Sequence, residues 1–147
     1  MMMRAMLALA MAAIVTAAPH LRAEDAVLLR PGEYQVSIRL DLPHVEDAGG
    51  AARSESICVG ADASGRHGLR VLSDSNPLRG CPVSNVRRSG DTLTFDIACV
   101  GGDAAVGAAR YTLRPEGFEG SIAVKMGGKN MTMIERQSGR RVGGCSP

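Results

Sequence analysis

From Glu33 to Leu42 the chain reads Glu33-Tyr34-Gln35-Val36-Ser37-Ile38-Arg39-Leu40-Asp41-Leu42, apolar and polar side chains alternating without a fault. Successive side chains of an extended chain point to opposite faces. Tyr34, Val36, Ile38, Leu40 and Leu42 therefore share one side, and Glu33, Gln35, Ser37, Arg39 and Asp41 the other. The stretch is predicted to be a half-buried β-strand. The same period returns at Leu93, Phe95, Ile97 and Cys99, with Thr92, Thr94 and Asp96 on the wet face. It returns again at Tyr111 and Leu113, and at Phe118, Ile122, Val124 and Met126. All four aromatic side chains fall in these strands.

The turns between strands set the register, and a slip of one residue would send every apolar group to the wrong face. Gly127-Gly128, taken as a two-residue hairpin loop, sets Met126 opposite Lys129, Val124 opposite Met131 and Ile122 opposite Met133. A bend at Glu116-Gly117 sets Tyr111 opposite Ile122 and Leu113 opposite Gly120. A two-residue turn at Gly90 pairs Val86 with Phe95 but leaves Val83 facing outward. Between Gly60 and Gly80 the alternation gives way to Gly, Ser, Asp and Arg around a short apolar patch at Leu69, Val71 and Leu72. This reads as a loop with room for one helical turn, long enough to be a disulfide-tied excursion or a functional lip. The expected fold is all-β: an antiparallel meander of about seven strands forming a curved sheet or small open barrel, since a flat sheet would leave its apolar side in water.

A length of 147 residues with 45% hydrophobic and 22% charged side chains suits one modest domain with a core. Residues 1–23 read as a signal peptide: Arg4 follows three methionines, and an apolar run from Ala5 to Ala18 is too short to cross a bilayer. Cleavage is placed after Ala23, with Ala17 as the rival, and residues 24–147 as a single β domain without a membrane anchor. Removing Arg4 and Arg22 leaves 15 basic against 15 acidic groups. A neutral chain with its aromatics in strands lacks the footprint of a nucleic-acid binder. Export favours two disulfides among Cys58, Cys81, Cys99 and Cys145, no two of which have the Cys-x-x-Cys spacing of a redox or zinc motif. The expected pairing is Cys58–Cys81, closing the excursion, with Cys99–Cys145 by elimination.

Several runs carry a resemblance. Leu29-Arg30-Pro31-Gly32-Glu33-Tyr34-Gln35-Val36, then Cys81-Pro82-Val83 leading to Arg88-Ser89-Gly90-Asp91-Thr92 and Cys99, then Met126-Gly127-Gly128, Met131-Thr132-Met133 and Ser138-Gly139-Arg140-Arg141-Val142-Gly143-Gly144-Cys145 together resemble the DUF3617 family. The resemblance spans nearly all of the mature chain. It implies an exported bacterial protein, periplasmic in location and of unknown function, and it supplies no catalytic residues. Tyr34 stands where members usually carry Trp, which keeps a ring in the core.

No catalytic constellation is apparent. His44 and His67 lie in polar segments, and Ser64-Gly65 and Ser89-Gly90 are turn chemistry without a nucleophile-elbow pattern. Glu46, Asp47, Glu116 and Glu119 are scattered on bends and wet faces. No cofactor and no metal site is expected; Met126, Met131 and Met133 could hold Cu(I) through their thioethers, but the register turns them toward the core. Arg136, Arg140 and Arg141 form the densest basic group, with Arg136 and Arg140 on one side of the last strand. They suit either an anion site or a charged edge that discourages aggregation. The leading functional expectation is a binding module whose apolar face, lined by Tyr34, Val36, Ile38, Phe95, Tyr111 and Ile122, takes a small lipophilic ligand. The alternative is a structural or protein-interaction module of the cell envelope, its core filled by its own side chains and the excursion. A Met-rich copper binder is the third reading.

Overall fold

A computed structural model describes residues 29–42, 51–60, 65–102, 104–128 and 131–146. The expected signal peptide, His44, Glu46, Asp47 and Ser64 lie outside the described residues. Seven strands form one antiparallel sheet: β1 (Gly32–Asp41), β2 (Arg53–Val59), β3 (Val83–Ser89), β4 (Thr92–Ala98), β5 (Val106–Arg114), β6 (Gly117–Met126) and β7 (Met131–Gly143), in the spatial order β2-β1-β7-β6-β5-β4-β3. β3 to β7 run as a five-stranded meander. The β1–β2 hairpin adds to the far side of β7, so that β2 and β3 are the two edges of an open sheet.

The apolar face that the alternation marks out is the buried one. Tyr34, Val36 and Ile38 of β1, Leu93, Phe95 and Ile97 of β4, Tyr111 and Leu113 of β5, and Phe118, Ile122 and Val124 of β6 belong to one hydrophobic cluster. A row of rings crosses it. Tyr34 meets Phe118 at 5.8 Å between centroids, Phe118 meets Tyr111 at 5.9 Å, and Tyr111 meets Phe95 at 5.9 Å. Two glycines make room for this row. Tyr111 is paired with Gly120 and Phe118 with Gly139, and a Cβ on either glycine would collide with the ring lying over it. An aromatic side chain covering a cross-strand glycine protects backbone that would otherwise be bare, and pins the register.

Those ring-over-glycine pairs correct the expected bend. The turn is Pro115–Glu116, with Leu113 opposite Phe118 and Tyr111 opposite Gly120 rather than Ile122. The β6–β7 hairpin is also longer than expected: Met126 pairs with Met131, Val124 with Met133 and Ile122 with Glu135. Both corrections shift the partner by two positions, so each side chain keeps its face. At Gly90 the two-residue turn is as expected, with Ser89 opposite Thr92. The conflict over Val83 is resolved by a bulge between Ser84 and Arg87, where Asn85 takes a left-handed backbone (φ 53°). The extra residue resets the parity and returns Val83 to the core, opposite Ile97.

The excursion from β2 to β3 crosses the apolar face and closes it. Its path is a succession of turns, with Leu69 N donating to Arg66 O, Asn76 N to Ser73 O and Arg79 N to Asn76 O, and no helix forms among the described residues. Leu69, Val71, Leu72 and Leu78 enter the core cluster. The cysteine pairing differs from the expectation: the disulfides are Cys58–Cys145 and Cys81–Cys99, at Cα separations of 5.5 and 4.8 Å. Topology explains this. With β1 inserted between β2 and β7, Glu33 is paired with Cys58 on one side and Gly143 on the other, so the segment after β7 ends beside Cys58. Across the sheet, Val83 opposite Ile97 brings the residues flanking β3 and β4, Cys81 and Cys99, together.

Candidate functional site

The six side chains expected to line a lipophilic cavity all lie on the core face, and none is more than 2% exposed. They belong to one cluster with the apolar side chains of the excursion, and of the six only Ile38 borders a depression on that side, of about 310 Å³. The excursion is fastened there by a polar cluster that the alternation does not single out. Glu135 and Gln137 of β7 continue the inward phase of Met133, and both are buried. The Glu135 carboxylate accepts from Leu72 N at 2.8 Å, Ser73 N at 3.3 Å, Asn76 Nδ2 at 2.7 Å and Gln137 Nε2 at 2.7 Å. Every partner is a donor, as a carboxylate requires, and the cluster leaves no buried polar side-chain atom unpaired among the described residues. Gln137 Nε2 also donates to Arg70 O at 2.8 Å, while its Oε1 accepts from Tyr111 Oη at 3.0 Å. Burial, and after it the Glu135 charge, pushes the Tyr111 phenol far above its usual range. From the β2 edge Arg53 Nη2 donates to Leu72 O, and Arg53 and Arg79 both pair with Asp74.

The opposite face of the sheet is exposed, and on the excursion side a cleft of about 330 Å³ opens beside Val71, Leu78 and Ile97. Register arranges the exposed face in transverse rows. Arg87 of β3 is opposite Thr94 of β4, which is opposite Arg110 of β5; Arg110 is opposite Ser121 of β6, Ser121 opposite Arg136 of β7, and Arg136 opposite Arg39 of β1. Four arginines thus span six strands in one line, interleaved with two hydroxyls. Adjacent strands lie about 4.8 Å apart, so the line is about 24 Å long. Arg136 pairs with Asp41 at 2.5 Å and Arg39 pairs with the same carboxylate at 3.0 Å. Arg110 has no carboxylate partner among the described residues. A depression of about 500 Å³ opens along this line, with Ser37, Arg39, Arg110, Ser121, Arg136 and Ser138 among its walls.

Toward the end of the sheet where β5 begins and β6 ends, the same face turns apolar. Ala108 is opposite Ala123, and Ala123 opposite Ile134; one row further on, Val106 faces Lys125. A second depression, of about 630 Å³, follows these residues. A third, of about 420 Å³, joins the two and is lined by Arg110 and Ser121 as well as Ala108 and Ala123.

The other sequence-marked residues are dispersed. Of the three expected arginines, Arg136 and Arg140 share the solvent face, whereas Arg141 turns to the opposite side, where its Nε donates to Pro31 O at 3.0 Å and its backbone N to Glu116 O. Glu116 sits on the β5–β6 turn and pairs with Arg30 at 2.7 Å; Glu119 lies on the solvent face, 3.6 Å from Arg114. Tyr34 Oη, donating to Arg30 O at 2.8 Å, ties this end to the core. His67 occupies a turn in a left-handed conformation and Ser89 ends β3 at a hairpin. Met133 is buried, Met126 packs against the core, and Met131, at 50% exposed, stands beyond it rather than facing inward as expected. Among the described residues no group of three His, Cys, Asp or Glu side chains could hold a metal ion, and no helix is long and apolar enough to cross a membrane.

The arginine row escaped sequence reasoning because Arg39, Arg87 and Arg110 stand far apart along the chain. Each was legible as an outward position of its own strand; only the register aligns them. A family model described as "Protein of unknown function (DUF3617)" matches residues 29–145. No curated protein and no solved structure matches the chain.

Proposed function

Because this chain belongs to the DUF3617 family, whose function is unknown, its role has to be read from its own surfaces, and we propose that it is an exported, periplasmic, non-enzymatic module of the cell envelope that binds its partner on the solvent face of the sheet. The observation that carries the reading is the closure of the core face. Tyr34, Val36, Ile38, Phe95, Tyr111 and Ile122 are sealed beneath the excursion. Admitting a lipophilic ligand among them would lift residues 69–78 and strip the buried Glu135 and Gln137 of their partners, a cost of several unmade buried hydrogen bonds. The solvent face, in contrast, keeps arginines and an apolar trough in reach of a partner. Two disulfides suit an oxidising compartment such as the periplasm.

The test is methyl NMR on protein isolated from the periplasmic fraction and isotopically labelled at Ala, Ile and Val. Its mature N-terminus is expected to follow Ala23. An extract of the host envelope is expected to move the Ala108 and Ala123 methyls and leave those of Val36, Ile38 and Ile122 in place. Movement of the core methyls, or an unprocessed chain in the cytoplasmic fraction, overturns the reading.

A further inference from the structure

The solvent face carries two contiguous halves of opposite chemistry, and this narrows the ligand that the proposed function leaves open. We propose that the trough along β5 and β6 takes a monomeric anionic amphiphile with a single acyl chain, its head group held by Arg110 with Arg136 and Ser121, and its chain lying over Ala108 and Ala123. This rests on the reading that the solvent face is the working surface.

The head site is defined by register. Arg110, Ser121 and Arg136 are consecutive members of one transverse row, so the two guanidinium groups flank a hydroxyl across two strand spacings, about 10 Å at the backbone. Long, planar guanidinium groups placed on either side of a hydroxyl suit one carboxylate or phosphate. Arg110 is the principal contact because Arg136 already shares Asp41 with Arg39. The chain site follows directly. From Arg110, the next outward residue along β5 is Ala108, and from Ser121, the next along β6 is Ala123; these four residues line the same depression. The alanines form the floor because their side chains are short, while Ile134 on one flank and Val106 at the end supply apolar contact. The apolar depression over Ala108, Ala123 and Ile134 holds about 630 Å³, within the range of small-molecule sites.

Other occupants fit less well. All four aromatic rings are turned into the core, which removes the stacking platforms that bases and sugars use. An anionic bilayer would press the whole face, including Asp41, Asp96 and Glu119, against like charge; a single head group between Arg110 and Arg136 meets two guanidinium groups against Glu119, which lies 3.6 Å from Arg114, and Asp96 of the adjoining depression already accepts from Asn85 Nδ2. A neutral apolar molecule would leave Arg110 without its counter-charge.

The experiment is isothermal titration of the full, oxidised protein with sodium dodecanoate below its micellar concentration. One-to-one binding in the micromolar range is expected. Dodecyl maltoside, with the same chain and a neutral head, should bind at least tenfold more weakly, and acetate should give no heat. Arg110→Ala and Arg110→Gln are both expected to lose tenfold or more, and Ala123→Asp to abolish binding. Unchanged circular dichroism and melting temperature show that each variant is folded. Wild-type affinity in both Arg110 variants, equal affinity for the maltoside, or binding to anionic vesicles without binding of the monomer overturns the proposal. If dodecanoate fails while envelope extract still moves the Ala108 and Ala123 methyls, the amphiphile alone falls. If the core methyls respond instead, the reading beneath it falls as well.

Discussion

Tyr111 donates its phenolic hydrogen to Gln137 Oε1 at 3.0 Å in the middle of the sheet, where both side chains are buried. The chain has two tyrosines, and both phenols titrate above their ordinary value of about 10. For Tyr34 the causes are burial first and the Glu116 carboxylate second.

A raised phenol has a definite consequence for stability. Below about pH 10 both the folded and unfolded chains carry neutral tyrosines. Above it the unfolded chain loses protons that the folded chain keeps, so stability falls as pH rises. Absorbance at 295 nm should show less phenolate in the native protein at pH 10.5 than two free tyrosines would give, with the Tyr111 share rising only as the circular-dichroism signal is lost. Tyr111→Phe should soften the alkaline fall in melting temperature. Normal titration of both tyrosines in folded protein would contradict the burial of Tyr34 and Tyr111.

Glu135→Gln tests the clasp between sheet and excursion. The substituted amide can offer one oxygen where the carboxylate offers two, and its NH₂ must face Leu72 N, Ser73 N, Asn76 Nδ2 or Gln137 Nε2, all donors. Hydrogen bonds to charged groups contribute about 1.5–3 kcal/mol each, and a donor forced against donors costs more than one bond lost. The variant should lose about 3 kcal/mol in urea denaturation. Hydrogen exchange should speed up first at Leu72 and Ser73, ahead of the strand amides. A change within about 0.5 kcal/mol, typical of surface positions, would remove the clasp from the account.

How much of this was legible beforehand follows from the range of each signal. Alternation is local, so the faces of Tyr34, Val36, Phe95, Tyr111 and Ile122 could be read from their own neighbours. Partner choice is not local: that β1 lies between β2 and β7 depends on which edge is left bare once the meander has formed, and no residue in β1 announces it. The register errors at Pro115–Glu116 and after Gly127 had the same origin, since turn composition spoke for one loop length and the ring-over-glycine pairs of Tyr111 with Gly120 and Phe118 with Gly139 decided another. Glu135 and Gln137 occupied inward positions all along. Polar residues in an apolar phase read as noise until the excursion supplies their partners.

The disulfide pattern follows from the same strand order and is checked directly. Peptide mapping of unreduced protein should recover Cys58 linked to Cys145 and Cys81 linked to Cys99. The two bonds close segments of very different length, with sequence separations of 87 and 18. In the chain-entropy view the longer closure restricts the unfolded state more, by about 1.4 kcal/mol for this ratio of lengths. Paired serine substitution of Cys58 and Cys145 should therefore lower stability further than that of Cys81 and Cys99. The Cys58–Cys145 bond also has a mechanical role, because it ties the edge strand β2 to the end of β7 across β1, whereas Cys81–Cys99 joins residues flanking two strands already paired. Loss of the first should fray β2 and release the Arg53 contacts to Leu72 and Asp74. Faster exchange at β2 amides in the Cys58/Cys145 variant alone is the expected signature. Equal losses for the two pairs, with no selective change in β2, would show that the strand order rather than the bond holds that edge.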